Sequence, residues 1–176
     1  MKNKDPLVIM KDVLNFHTDE EIVCALKNQN KGLFERIESG KIKIEVKYRK
    51  RTRNSLMSHI ILSVSPEVWR MLTGAGAVHV DSQRVRVADQ SPIVQCTECL
   101  GFGHGRKFCK AAQDVCSHCG GPHVRAECAD WLAAVAPTCC NCQSAKLDNT
   151  DHNAFSQECP VWRRWDTIAR SSVSYC

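Results

Sequence analysis

Twelve side chains in the second half of this chain repeat one order of chemistry three times: Cys, Cys, His, Cys. Cys96 and Cys99 stand two residues apart, His104 follows after four more, and Cys109 after another four. Cys116, Cys119, His123 and Cys128 run C-x2-C-x3-H-x4-C, and Cys139, Cys142, His152 and Cys159 run C-x2-C-x9-H-x6-C. Three thiolates and one imidazole make a closed tetrahedral donor set, the kind that zinc takes in structural sites. The two-residue gap lets both sulfurs turn toward one ion, a tight turn that Gly103, Gly120 and Gly121 help the backbone to make. With all four positions filled by protein, no site is left for a water nucleophile. Such sites supply on the order of 10–16 kcal/mol in small zinc peptides, and segments this short hold no fold without that help. The expectation is three zinc ions per chain.

Disulfides are the competing chemistry. The opening residues, MKNKDPLVIM, lack the long apolar stretch of a secretory signal, and disulfide-dense small domains belong to oxidising compartments. Repeated ligand order at metal spacing therefore favours zinc over cross-links and over a redox role for the C-x-x-C pairs. In the third group Cys140 competes with Cys139, which is preferred because it restores the two-residue gap. Cys24, in IVCAL, reads as a small buried apolar residue. Cys140 and Cys176 keep no assigned role. His118, between two ligands, is expected to point away from the ion, and His17, His59 and His79 read as ordinary surface or strand residues. No histidine is followed two residues later by Glu, so the zinc-deaminase pattern is missing and no catalytic residues are expected.

These units resemble CCHC zinc knuckles, the nucleocapsid-type modules of Gag proteins. Three in tandem, the last stretched and followed by CPVWRRW, resemble more specifically the Gag-like proteins of insect non-LTR retrotransposons. Those are encoded by the first reading frame, in the clades that insert into ribosomal DNA or telomeric repeats. AFSQECPVW, after His152, is the most family-specific phrase. The resemblance covers residues 96–165 well and the preceding ninety more loosely. It implies a protein that binds the element's own RNA and helps assemble it into a ribonucleoprotein particle, in cytoplasm and nucleus.

Two departures shape what the knuckles are expected to do. Retroviral knuckles place an aromatic directly after the first cysteine, and here Thr97, Ser117 and Cys140 stand there. Phe102 and Phe108, both in the first unit, are the stacking candidates, at about 1–3 kcal/mol per base. Each zinc with three thiolates carries −1, so a second half of 8 Lys+Arg and 8 Asp+Glu becomes acidic when loaded. Arg106, Lys107 and Lys110 make a basic spot on the first knuckle, while Asp148, Asp151 and Glu158 surround the third. The first knuckle is thus expected to touch nucleic acid and the third to pack or bind protein. Trp131, Trp162 and Trp165 read as packing residues rather than base-stacking or protein-binding ones, on two short helices, DWLAAVA and VWRRWDTIA.

The elements that must position this chemistry are preceded by a different kind of sequence. Residues 1–90 carry one cysteine, 16 Lys+Arg and 11 Asp+Glu, so the net +5 of the chain lies there. DQSPIVQ marks the change. The expected organisation is an RNA-recognition-motif-like domain over 1–90, a linker at 91–95, and a triple-knuckle region with a C-terminal helix over 96–176. PLVIMKDV reads as a strand, and Thr18 with Glu21 as a capping box before EIVCALKNQN. KIKIEVKYRK and MSHIILSVS read as two further strands. Ile42, Ile44, Val46 and Tyr48 are expected on one face of the first, and Lys41, Lys43, Lys47 and Arg49 on the other. Ser65 is expected to cap a helix with Pro66 at its first position, ended by Gly74 and Gly76. VHV and RVRV suit a closing hairpin or strand. The fold class is α+β: a ferredoxin-like βαββαβ order, resembling an RNA-recognition motif, followed by three small zinc knuckles with short helices.

A sheet of that kind binds RNA through aromatics on its first and third strands, and LVIMKDV and SHIILSVS contain none. The candidate contacts are instead Lys41, Lys43, Lys47, Arg49, Lys50, Arg51 and Arg53, a local +6 against Glu45. The competing reading is a solvated or aggregation-protected strand. Taken together, the residues point to a non-enzymatic module binding single-stranded RNA, with DNA as the alternative, and to no membrane. The second expectation is self-association, or recruitment of the element's reverse transcriptase.

Overall fold

In this computed structural model, which describes residues 4–176, the chain forms two compact units: Met1–Pro92 with Ser172–Cys176, and Ile93–Ser171. The first is α+β. Its elements are β1 (Leu7–Leu14), α1 (Asp19–Gln29), the single turn α2 (Lys31–Phe34), β2 (Ile44–Arg51), β3 (Met57–Val64), α3 (Pro66–Ala75), β4 (Ala77–Val80) and β5 (Gln83–Gln90). The five strands make one antiparallel sheet in the order β2-β3-β1-β5-β4. Alternation places Val8 and Met10, Ile60 and Leu62, and Val85 and Val87 on one face, where Ile22 and Leu26 of α1 and Val68 and Leu72 of α3 close over them. Burying each of these aliphatics contributes about 1.5–3 kcal/mol. The last residues join this unit: Lys4 bridges Val173, and the Tyr175 ring lies edge-on to Trp69 at 4.9 Å.

Local signals set the helices. Thr18 Oγ1 accepts from the Glu21 amide (3.2 Å) and Glu21 Oε2 accepts from the Thr18 amide (2.8 Å), the expected capping box. The amide of Thr18 holds the Glu21 carboxyl below its usual range. Two expectations need correction. Ser65 makes no side-chain cap to α3; its hydroxyl donates instead to the Lys41 carbonyl at 2.6 Å. Gly74 lies inside the helix, which ends one residue before Gly76, in the left-handed region at φ 69°.

The alternation of KIKIEVKYRK also breaks. A register shift between Val46 and Tyr48 turns Tyr48 and Lys50 to the open face, away from the helices, and sends Arg49 toward α1. Lys41 sits in a 3-10 turn and Lys43 precedes β2, so the basic run does not form one surface.

The second unit has little regular structure: one turn of helix α4 (Ala129–Leu132), then α5 (Cys140–Ser144) and α6 (Pro160–Arg170). DWLAAVA was expected to be helical up to Pro137, but it leaves the helix after one turn. Ala134 is left-handed at φ 56°, and the Val135 amide donates to the Asp130 carbonyl. The core here is small: Leu100, Cys139, Cys142, Ala154 and Cys159, with Val115, Cys140, Val161 and Trp162 packed on it. No helix among the described residues is long and apolar enough to cross a membrane.

Candidate metal centres

The first two clusters are built on the same hairpin. The Cys96 amide donates to the Gly101 carbonyl and the Cys116 amide to the Gly121 carbonyl, both at 2.8 Å. This turns each C-x2-C pair inward. Position 120 is left-handed (φ 78°), and at Gly121 a Cβ would meet His123 Cε1 at 2.8 Å, so glycine there lets the imidazole approach. In the first cluster the residue matching Gly120 is Leu100, at φ 61° and buried. The third cluster replaces the turn by α5, which carries Cys142.

Three sets of four donor atoms result: Cys96, Cys99, His104 and Cys109; Cys116, Cys119, His123 and Cys128; Cys139, Cys142, His152 and Cys159. Within each set all donors lie within 4.8 Å of one another. Cys119 and Cys128 sulfurs are 3.7 Å apart, and Cys139 and Cys159 sulfurs 3.8 Å. A tetrahedron of zinc–sulfur bonds near 2.3 Å has edges of about 3.8 Å, whereas a disulfide needs about 2.05 Å. All twelve cysteines are unbridged. In every set the histidine presents Nε2, at 3.3 Å from Cys99 Sγ, 3.5 Å from Cys119 Sγ and 3.4 Å from Cys142 Sγ.

Backbone amides are aimed at the sulfurs, as they would be at negative charge. Glu98 donates to Cys96, Ala111 to Cys109, His118 to Cys116 and Gly121 to Cys119, each at 3.4 Å. Although burial pushes the Cys96 thiol up, the amides of Cys99 and Glu98 and the sulfurs of Cys109 and Cys99 bring it down to about 7. The donor set, its spacing and its amide shell fit three zinc ions, closed to solvent chemistry. In the third set it is the Cys139 sulfur, not that of Cys140, that lies with the other three donors. Cys140 faces away, its Cβ side packed where a Cβ on Gly120 would sit 3.2 Å from it, and burial pushes its thiol up to about 11.

The three clusters form one block. The Val115 amide donates to the Glu98 carbonyl, linking first and second; Thr138 donates to the His118 carbonyl and Ala154 to that of Ser117, linking second and third. Asn141 Nδ2 and Gln95 Nε2 both donate to the Leu100 carbonyl at 3.0 Å, tying the third cluster to the first. Sequence reasoning missed Leu100, Gln95 and Asn141. Aligning the repeats by their cysteines would have exposed Leu100 as the side chain standing where its twin has glycine. His118 points away from its cluster and donates through Nε2 to the Val135 carbonyl at 2.9 Å, with Trp131 edge-on at 5.4 Å.

The candidate contact residues scatter. Lys41 pairs with Glu38 (3.2 Å), Lys43 with Asp5 (2.6 Å) and Arg49 with Asp19 (2.6 Å). Lys47, Arg51 and Arg53 are exposed. Lys50 reaches across the open face: its Nζ is 3.4 Å from Gln90 Oε1 and 6.0 Å from the Tyr48 ring, and burial lowers its pKa. On the first knuckle, Arg106, Lys107 and Phe108 form an exposed 3-10 turn, with Phe108 71% exposed and Lys107 Nζ over its ring at 5.9 Å. Phe102 is stacked on Trp165 at 5.8 Å. A cleft of about 380 Å3 opens between the first two knuckles, lined among others by Thr97, Ser117, Val124, Arg125 and Phe155.

No family model and no solved structure matches the chain. Among curated proteins it is similar to "Nucleic-acid-binding protein from mobile element jockey" of Drosophila melanogaster, 32% identical over 116 residues, or 63% of this chain. That stretch covers 18% of the relative, so this chain spans under a fifth of that protein's length.

Proposed function

We propose that this chain is a non-enzymatic, single-strand nucleic-acid-binding module of a retrotransposon Gag-like protein, RNA being its main ligand. The observation that carries the reading is the likeness to a nucleic-acid-binding protein of a mobile element, in a chain whose metal sites are all closed. A closed site holds shape and offers no position for activating water. The strand order supports a ferredoxin-like, RNA-recognition-motif-like first unit: β2-β3-β1-β5 is the order of a βαββαβ sandwich, with β4 added at the edge beside β5. Lys47, Lys50, Arg51 and Arg53 supply long-range attraction, with Lys41, Lys43 and Arg49 partly neutralised by their acids. Phe108, Arg106 and Lys107 supply short-range contact on the first knuckle, and Phe102 with Trp165 makes a second ring surface. In this role the protein packages its element's RNA into a ribonucleoprotein that passes between cytoplasm and nucleus.

Zinc-loaded protein titrated with a short single-stranded RNA tests this. Affinity should fall with log salt at a slope of about −3 or steeper, since the four exposed cations Lys47, Lys50, Arg51 and Arg53 alone offer phosphate contacts at about 0.7 each. Phe108→Ala should weaken binding by about 5- to 150-fold, a stacking loss of about 1–3 kcal/mol, with zinc content unchanged. Absence of binding at low salt rejects the reading.

A second reading, self-association or recruitment of the element's reverse transcriptase, is favoured by the segment after the second knuckle. Trp131, Leu132 and Val135 are 47%, 74% and 51% exposed on consecutive turns. Light scattering that gives an oligomer indifferent to RNA would select it.

A further inference from the structure

The open face of the sheet holds a charge arrangement that the basic run at 41–53 does not contain. Lys11 on β1 and Arg86 on β5 are direct cross-strand partners, and Arg84 lies two residues along β5 on the same face, opposite His79 of β4. Val85 and Val87 point into the core, so Arg84 and Arg86 point out, about 7 Å apart along the strand. All three cations are exposed, and none has an ion pair or hydrogen bond through its side chain among the described residues. The acid at this end of the face is Asp12, which sits on the β1 bulge at φ 59° beside His59, 3.6 Å from its Nδ1.

Like charges placed directly opposite one another weaken a sheet. Lysines and arginines are tolerated on edge strands because they block aggregation, but β1 and β5 are interior strands, at positions three and four of five. Edge protection therefore does not account for them. The strands that carry this row, and β4 beside them, hold no Phe, Tyr or Trp to take a base: the β1 positions are Leu7, buried Ile9 and Lys11, and the Tyr48 and His59 rings lie on β2 and β3, on the far side of β1 from β5. What relieves three uncompensated cations on a flat interior surface is a run of anions laid across it.

We propose that Lys11, Arg84 and Arg86 form a phosphodiester-binding row, which holds the backbone of single-stranded RNA across β1 and β5 without reading its bases. The proposal rests on the nucleic-acid reading above and gives it a second surface. The test uses the full zinc-loaded chain and a fluorescent single-stranded 12-nucleotide RNA, with affinity measured over a range of salt. The triple variant Lys11→Gln/Arg84→Gln/Arg86→Gln should flatten the slope of log affinity against log salt by about 2, from three contacts at about 0.7 each. The charge-keeping variant Lys11→Arg/Arg84→Lys/Arg86→Lys should restore it. Two RNAs of unrelated sequence should lose affinity equally. With the RNA left out, the Gln variant should melt no lower than wild type, because it removes a repulsion. Wild-type binding with an unchanged slope in the Gln variant overturns the row alone. Failure of the wild type to bind RNA at low salt overturns the parent reading and the row with it.

Discussion

A sulfur that accepts an amide hydrogen bond and lies 3.4–3.8 Å from its neighbours is built for a metal, and that was legible from cysteine spacing alone. Ligand identity follows from what each side chain can donate. What spacing could not reveal is Leu100, because its importance comes from burial and from a left-handed backbone that a leucine enters at a cost of about 1–2 kcal/mol. Its side chain is the apolar centre where first and third clusters meet, and its carbonyl accepts two side-chain amides. Leu100→Ala should destabilise the second unit by about 2–5 kcal/mol in denaturant titration. Leu100→Gly relieves the backbone but forfeits the same packing, so it should also be less stable than wild type. A neutral Leu100→Ala would mean that the clusters do not share this core.

Elements whose start is written in a local motif came through intact, and those that depend on tertiary competition did not. The capping box of α1 is a matter of residues three apart. Thr18→Ala should cost about 1 kcal/mol of first-unit stability in urea unfolding. Its pH dependence has a definite sign. The Glu21 carboxyl is held below its ordinary range in the folded state, chiefly by the Thr18 amide. Its contribution is therefore full above the unfolded-state value and is lost as pH falls through the lower, folded value. The stability of wild type should drop across that acidic window more than that of Glu21→Gln. By contrast, Ser65 looked like a cap, yet its hydroxyl found the Lys41 carbonyl, a partner 24 residues away. The bulge in β2 was equally hidden, since the sequence alternates through Tyr48 while the register shifts beneath it. DWLAAVA reads as helix by propensity, and the His118 ring bonded to the Val135 carbonyl holds its end in another shape.

At the scale of the molecule, two compact units draw on different sources of stability. Among the described residues, the first packs sixteen buried side chains into one apolar cluster under its helices, and the second has a cluster of five, three of them cysteines of the third metal set. Composition already divided the chain, since cysteine and charge change together near residue 90. It did not show that the last five residues join the first unit. A strong chelator at neutral pH should therefore release three zinc ions and unfold residues 93–171 while the sheet keeps its amide-exchange protection. Equal loss of protection in both units would refute that division.

Because every pair of clusters is tied by hydrogen bonds and the first and third share Leu100, no ion can leave without loosening the cradle of the others. Occupancy then becomes cooperative. In a cell short of zinc, such chains would divide into fully loaded and wholly collapsed populations, with few carrying one or two ions. The molecule would count its metal as all or none, so that a modest fall in free zinc acts on it as a threshold.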